Sequence, residues 1–285
     1  PLGTPFAELY GMNDPVIEIG LTPNRADCTG VRGIARDLAA AGLGKLKDLD
    51  TSTVKGTFKS PTDVKLKFDK DTADACPLFM GRTIKNVKNG PSPDWMQNRL
   101  TAIGLRPISA LVDITNYVTM ETGQPTHVFD LDKMNGGKLF VRKARKGERV
   151  DLLDDNTVTL SDDDLVLADA KDALDIAGIK GGKRAEVTAG TKNILLTSGN
   201  FDGVNVYKTS RRTNVITDAS SRFSHNLSPD LVSFGAFRAE ELISELCGGK
   251  AGVVADVYIK KPKQAVVPFD VERFNLLTGL RLSKA

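Results

Sequence analysis

Histidine, tryptophan and cysteine are scarce in this chain: two, one and three copies in 285 residues. Cys28, Cys76 and Cys247 are odd in number and widely spaced, with no pair at the short spacing that holds zinc. Neither a metal cluster nor a disulfide framework is therefore expected, and the three read as reduced core residues of a cytoplasmic protein. Long apolar runs are missing too. Stretches such as Leu38 to Ala41 fall far short of the roughly 18 residues a membrane span needs, and no basic start precedes an apolar block at the beginning. No membrane is expected as a partner. The common catalytic templates are absent as well: no Gly-x-Ser-x-Gly elbow, no Walker phosphate loop and no His-Glu-x-x-His.

What is present suits a globular protein, with 40% hydrophobic residues over a length that accommodates two domains, or one domain with pieces of its neighbours. The formal charge is only +3, too weak to announce a nucleic-acid binder. Basic clusters at Lys138 to Arg149, Lys180 to Arg184, Arg211 to Arg212 and Lys260 to Lys263 are offset by acidic runs at Asp154 to Asp155 and Asp162 to Asp164.

Along the chain, Val16 to Ile19 alternates like a strand, and Asn24 and Asp27 are placed to cap a helix running from Cys28 to Ala41, closed by Gly42. Residues 44–65 are polar and aperiodic, the best linker candidate. Ser92-Pro93-Asp94 opens a second helix with Ser92 as N-cap, ended by Gly104. Short apolar runs around Leu139, Val158, Leu165 and Ile194 read as strands, and the spacing from Pro229 to Cys247 reads as an amphipathic helix stopped by Gly248-Gly249. The expected fold class is α+β, with mixed or antiparallel sheets and packed helices.

The most informative segment runs from Arg106 to Asp130. A helical stretch carrying Thr115 and Asn116 ends at Gly123, and a Gly-Gln-Pro turn delivers His127. By itself His127 fits either a structural role or a general base, because imidazole titrates near neutral pH. Asn116 fits either an internally bonded amide or a ligand contact. The glycines at 178, 181 and 182 fit a flexible turn or a backbone brought close to a ligand.

Ile17 to Cys28, Val31 to Ala40, the Arg106 to Asp130 segment, Thr217-Asp218-Ala219-Ser220 and Cys247-Gly248-Gly249 together resemble the beta subunit of bacterial phenylalanyl-tRNA synthetase. The resemblance covers nearly the whole chain. It implies residues 1–60 as the end of a first core domain, 61–258 as a central editing module, and 259–285 as a linker and the start of another domain. It implies an aminoacyl-tRNA ligase subunit whose central module hydrolyses tyrosine wrongly attached to the phenylalanine tRNA. It also implies an alpha-subunit partner in an alpha2beta2 assembly, tRNA(Phe), a tyrosyl ester in the pocket, and ATP and magnesium for the complete enzyme but no cofactor in this part. A second site is physically needed, because an apolar pocket rejects an added hydroxyl only about a hundredfold.

By the same resemblance, His127 and Asn116 are the catalytic candidates, and Thr115, Ala177, Gly178, Thr197, Thr217 and Ala219 shape the substrate pocket around a positioned water. His127, Asn116, Thr197 and Thr217 are expected to converge on one hollow. The family's glutamate for the tyrosine hydroxyl falls on Thr197, its Arg-Tyr-Glu-Arg-Gly-Val-Asp-Pro run falls on Arg222 to Pro229 with Ser224 and Ser228, and two of its glycines fall on Asn214 and Asn226. Replacing a carboxylate gives up a charge-assisted hydrogen bond of about 1.5–3 kcal/mol, so weakened or altered editing is expected. The alternative is a non-catalytic scaffold that contacts tRNA and supports the alpha subunit. A free-standing deacylase is disfavoured because both ends resemble cuts through larger domains.

Overall fold

The computed structural model describes residues 2–12, 15–49, 54–259 and 266–283. Its helices are α1 (Phe6–Leu9), α2 (Val31–Ala40), α3 (Asp94–Ala102), α4 (Ala110–Thr122), α5 (Gly203–Thr213), α6 (Asp218–Phe223), α7 (Asp230–Leu246) and α8 (Val271–Thr278). Its strands are β1 (Asp63–Leu66), β2 (Leu78–Lys85), β3 (Thr126–Asp130), β4 (Lys138–Lys143), β5 (Arg149–Asp151), β6 (Thr157–Thr159), β7 (Leu165–Ala168), β8 (Ala173–Ile176), β9 (Asn193–Asn200), β10 (Lys250–Ala251) and β11 (Ala255–Val257). One sheet runs β10-β2-β9-β3 with β11 also on β2, a second runs β1-β4-β7-β8, and β5 pairs with β6. Among the described residues, only the β1–β4 pair is parallel. The fold is α+β.

Strand alternation decides what each face of the first sheet meets, since successive side chains point to opposite sides. Ile84, Val128, Ile194 and Leu196 join Leu111, Ile114 and Val118 of α4 and Leu242 and Ile243 of α7 in one core. Phe79, Phe129 and Leu195, one residue out of step, join Leu139, Val141, Leu165, Leu174 and Ile176 of the second sheet in another. The first sheet is thus sandwiched between a helical layer and a second sheet. His127 and Thr197 share the parity of Phe129 and Leu195, so they face the second sheet.

Several local expectations change. Val16 to Ile19 is not a strand; it pairs with no strand among the described residues, and Val16, Ile17 and Ile19 are exposed. Alternation makes a strand only where a partner offers a ladder. Asn24 does not cap a helix: a 3-10 turn at Ala26–Cys28 comes first, and α2 starts after Gly30. Ser92 does not cap α3, whose N-cap is Pro93; its hydroxyl donates instead to Asp113 at 2.6 Å, tying that loop to α4. The three cysteines are free and buried. The basic clusters lie against the acidic runs: Lys143 pairs with Asp163, Lys180 with Asp154, Lys183 with Asp155 and Arg212 with Asp164. Lys260 to Lys263 lies outside the described residues.

The helical layer is fastened by a buried ion pair between Arg82 of β2 and Glu240 of α7. Arg82 also donates to the carbonyls of Gly252 and Val54, holding the polar 54–58 segment against the sheet. Burial pushes the Glu240 carboxyl up to about 7 against the pull of Arg82. An acid whose folded pKa exceeds its ordinary 4.5 gives stability that is present at low pH and lost as pH rises through about 7. Glu240→Gln is expected to flatten that part of the stability–pH curve in urea unfolding. Glu240→Ala, which strands Arg82, is expected to cost about 3–5 kcal/mol at pH 8, and the double replacement Arg82→Met/Glu240→Leu less.

Candidate active site

The turn after α4 fixes where β3 begins. Gly123 closes the helix at φ 82°, a left-handed conformation that favours glycine. The Gln124 amide then donates to the carbonyls of Pro125 and Gly199, both at 3.0 Å, bolting the turn to the end of β9. β3 consequently pairs with β9 so that His127 lies opposite Thr197. Directly opposed side chains of an antiparallel pair have Cβ atoms about 4.5–5.5 Å apart. The Thr197 hydroxyl donates to the His127 carbonyl at 3.2 Å.

In front of this pair is an open cleft of about 100 Å³ between the two sheets. A closed cavity of about 150 Å³ holds benzene; this cleft is smaller but open to solvent, so an aromatic ring would occupy it only in part, with the remainder of the ligand at its mouth. Phe79, Phe201 and Phe223 form its apolar lining. The Phe201 and Phe223 rings meet edge to face at 5.2 Å. Its polar end is His127, Thr197, Asp175 and Lys180. The imidazole is about one-third exposed and packs edge-on against Phe129, ring centres 4.7 Å apart.

Two turns shape the opposite wall. Gly178 adopts φ 70°, and a Cβ there would come within 3.1 Å of Phe201, Phe223 and Val206, so a side chain would both strain the backbone and crowd the lining. Gly181 lies over the imidazole: a Cβ would stand 2.8 Å from His127 Cε1. Thr217 caps α6, with Ser220 in a reciprocal capping box, and its hydroxyl donates to the Ile179 carbonyl at 2.7 Å. That cap carries Ala219 and Phe223 onto the cleft.

Asp175 reaches the cleft from β8. One carboxylate oxygen accepts the Gly182 N–H at 2.9 Å, and the other stands 3.5 Å from His127 Nε2. Burial raises its pKa above the ordinary carboxylate value, while His127 and the Gly182 amide pull the other way. The Lys180 ammonium is 2.6 Å from Asp154.

Of the residues singled out from the sequence, His127, Gly178, Thr197 and Ala219 line the cleft together. The other four do not line it. Thr217 is one step behind, bonded to the Ile179 carbonyl. Ala177 is buried beside Gly178, its amide donating to Leu165. Thr115 donates to the Val112 carbonyl of its own helix at 2.7 Å. Asn116 rides on α4, which packs on the Val128 face of the first sheet, away from His127. Of the four groups expected to converge, the cleft lining includes His127 and Thr197 and not Asn116 or Thr217, the latter bonded to the lining residue Ile179. The core side chains of α4 pack on the Val128 face of the sheet, while its Met120 reaches Arg222 of α6.

The two asparagines at glycine positions keep the backbone path, Asn214 at φ 56° and Asn226 at φ 59°. The Ser224 hydroxyl donates to the Ser220 carbonyl, and Ser228 accepts the Asp230 amide. Asp175, Lys180 and the three phenylalanines were not anticipated. Asp175 had a visible signal, as the one charged residue in the run Ala173-Leu174-Asp175-Ile176-Ala177; burying a lone carboxylate is costly enough to ask for a reason. Among the described residues, the group placed to hold a metal is Asp27, Cys28 and Asp37. Arg25 bonds both carboxylates, and Arg36 pairs with Asp27, so cationic charge is already supplied there. Gly181→Ala is expected to push the imidazole out of place and to cost about 1–3 kcal/mol through overpacking. Thermal unfolding and the ring signals of His127, compared with those of His225, would measure both.

A family model described as "B3/4 domain" matches residues 75–248. The phenylalanine–tRNA ligase beta subunit of Brucella melitensis is 49% identical over 284 residues, 99% of this chain and 35% of that protein. That of Rhodopseudomonas palustris is 42% identical over 283 residues, again 99% and 35%. A solved N-terminal fragment of the phenylalanyl-tRNA synthetase beta subunit from Pyrococcus horikoshii shows a slight likeness. It has a TM-score of 0.46 and 16% identity, over 92% of this chain and 71% of that one. The chain spans about a third of the length of the curated relatives it matches. No helix among the described residues is long and apolar enough to cross a membrane.

Proposed function

Given that the chain belongs to the B3/4 domain family, we propose that it is part of a phenylalanine–tRNA ligase beta subunit and that its cleft hydrolyses tyrosine wrongly esterified to tRNA(Phe). The observation that carries this reading is the pairing of His127 with Thr197 in an open, phenylalanine-lined cleft. An aromatic side chain would enter between Phe79, Phe201 and Phe223, and the ester would remain at the mouth beside the imidazole. His127 takes a proton from a water as the water oxygen adds to the ester carbon. The bond from that carbon to the ribose oxygen then breaks, and the same proton passes to the departing oxygen, leaving free amino acid and a ribose hydroxyl. Proximity and proton transfer together supply the rate.

The working enzyme would be a cytoplasmic alpha2beta2 assembly, with the alpha subunit and tRNA(Phe) as partners; ATP and magnesium serve the ligation reaction there. Within the editing reading, Ala177 and Thr217 support the wall and its turns, Thr115 and Asn116 belong to the helix that backs the sheet carrying His127, and Gly178, Thr197 and Ala219 shape the space. An open cleft favours hydrolysis over a purely scaffolding role, for which a pocket filled by side chains would suffice. Thr197 offers the tyrosine hydroxyl a neutral partner in place of a carboxylate, so editing is expected to be slow.

Hydrolysis of mischarged Tyr-tRNA(Phe) by the complete alpha–beta enzyme tests the reading. His127→Ala is expected to lower the rate about a hundredfold, the ordinary scale of a general base, with the melting temperature unchanged. Thr197→Glu is expected to raise it about tenfold, the factor that corresponds to roughly 1.4 kcal/mol. Equal loss of stability and activity at His127 would assign the residue a structural role instead.

A further inference from the structure

The imidazole and the carboxylate at the polar end of the cleft come from different sheets, His127 from β3 and Asp175 from β8. Asp175 is 5% exposed at its side chain, with Oδ1 occupied by the Gly182 amide and Oδ2 facing His127 Nε2 at 3.5 Å. The other charged groups nearby are engaged elsewhere. Lys180 is held by Asp154, and Asp151 accepts the Thr157 hydroxyl. Gly181 packs over the same edge of the ring, 3.2 Å from Nε2 at the position of a Cβ, leaving little freedom for that edge to turn away. Nδ1 of His127 has no hydrogen-bond partner among the described residues.

The Gly182 N–H and the nearby imidazole favour the ionised form of Asp175 against burial; an ionised carboxylate only accepts, so the ring nitrogen that faces it carries the proton, and the other nitrogen of a neutral imidazole then has a free lone pair. We propose that Asp175 is a positioning residue: it selects the Nε2–H tautomer of His127 and thereby makes Nδ1 the atom that accepts the proton of the attacking water. The proposal deepens the editing reading and rests on it for the reaction. The tautomer itself can be observed without any substrate.

Asparagine is the informative replacement. Its carbonyl oxygen remains the only group able to accept the Gly182 N–H, so its amide is turned toward Nε2 as a donor and drives the ring to the Nδ1–H form. The same change in a serine-protease triad produces the wrong tautomer and a loss of about ten-thousandfold. Because the chain has only two histidines, proton–nitrogen correlation NMR of the whole chain shows two rings. His225, with Nδ1 2.6 Å from the Ser221 carbonyl, serves as the reference.

The expected result is Nε2–H at His127 in the unmodified chain and Nδ1–H in Asp175→Asn, with His225 unchanged. Hydrolysis by the complete enzyme should then fall about a hundredfold or more, mainly in kcat and not in KM. An Nδ1–H tautomer in the unmodified chain overturns the proposal, and that measurement decides the matter even if the variant does not fold. A variant that folds and keeps Nε2–H also overturns it. The Nε2–H form in a chain whose parent enzyme hydrolyses no mischarged tRNA upholds the pairing and refutes the editing reading.

Discussion

The register between β3 and β9 is the constraint on which the site depends. A shift of one residue would turn every side chain of β3 to the opposite face, sending His127 into the helical core and Val128 into the cleft. Gln124 prevents that shift. Its amide spans from the turn to the Gly199 carbonyl, so the end of α4, the start of β3 and the end of β9 form one fastened corner. A Cβ at Gly235 of α7 would stand 2.6 Å from Gln124 Cγ, so the helical layer closes directly over the corner. Backbone pairing thus brings the imidazole to the cleft, and Phe129, Gly181 and Asp175 then constrain how the ring lies there.

The second sheet gives the imidazole its chemical surroundings. β8 brings a buried carboxylate, the 177–182 turn brings glycines that let backbone approach the ring, and α6 brings an apolar wall. None of these lies near His127 in the chain, and the cleft exists only where the two sheets meet. The site is also economical in charge: Lys180, the one lysine or arginine lining it among the described residues, is paired with Asp154. A ligand entering the cleft thus meets an apolar lining with a His–Asp pair at one end.

Much of this was legible in the sequence where the signal is local. Gly123, Gly104 and the Gly248-Gly249 pair stop helices as their position implies, and all adopt positive φ. The strands around Leu139, Leu165 and Ile194 stand where short apolar runs bounded by turn residues put them. The asparagines at 214 and 226 take the left-handed backbone that glycine would have taken. What was not legible is which face an element turns to which neighbour. Asn116 and His127 are eleven positions apart and belong to one motif, yet only His127 lines the cleft. Asp175, almost fifty positions beyond His127, stands beside it. The Val16 to Ile19 alternation misled for a related reason, since a strand pattern says nothing about the presence of a partner strand.

The central claim is that this cleft receives an aromatic aminoacyl group with its ester beside His127. The most direct measurement is titration of the chain with a non-hydrolysable amide of tyrosine and the 3′ end of adenosine, following the imidazole signals of both histidines. Saturable movement of the His127 ring, abolished by Gly178→Ala and absent from His225, is the predicted result. Binding that leaves His127 unmoved, or no binding at all, would contradict the account.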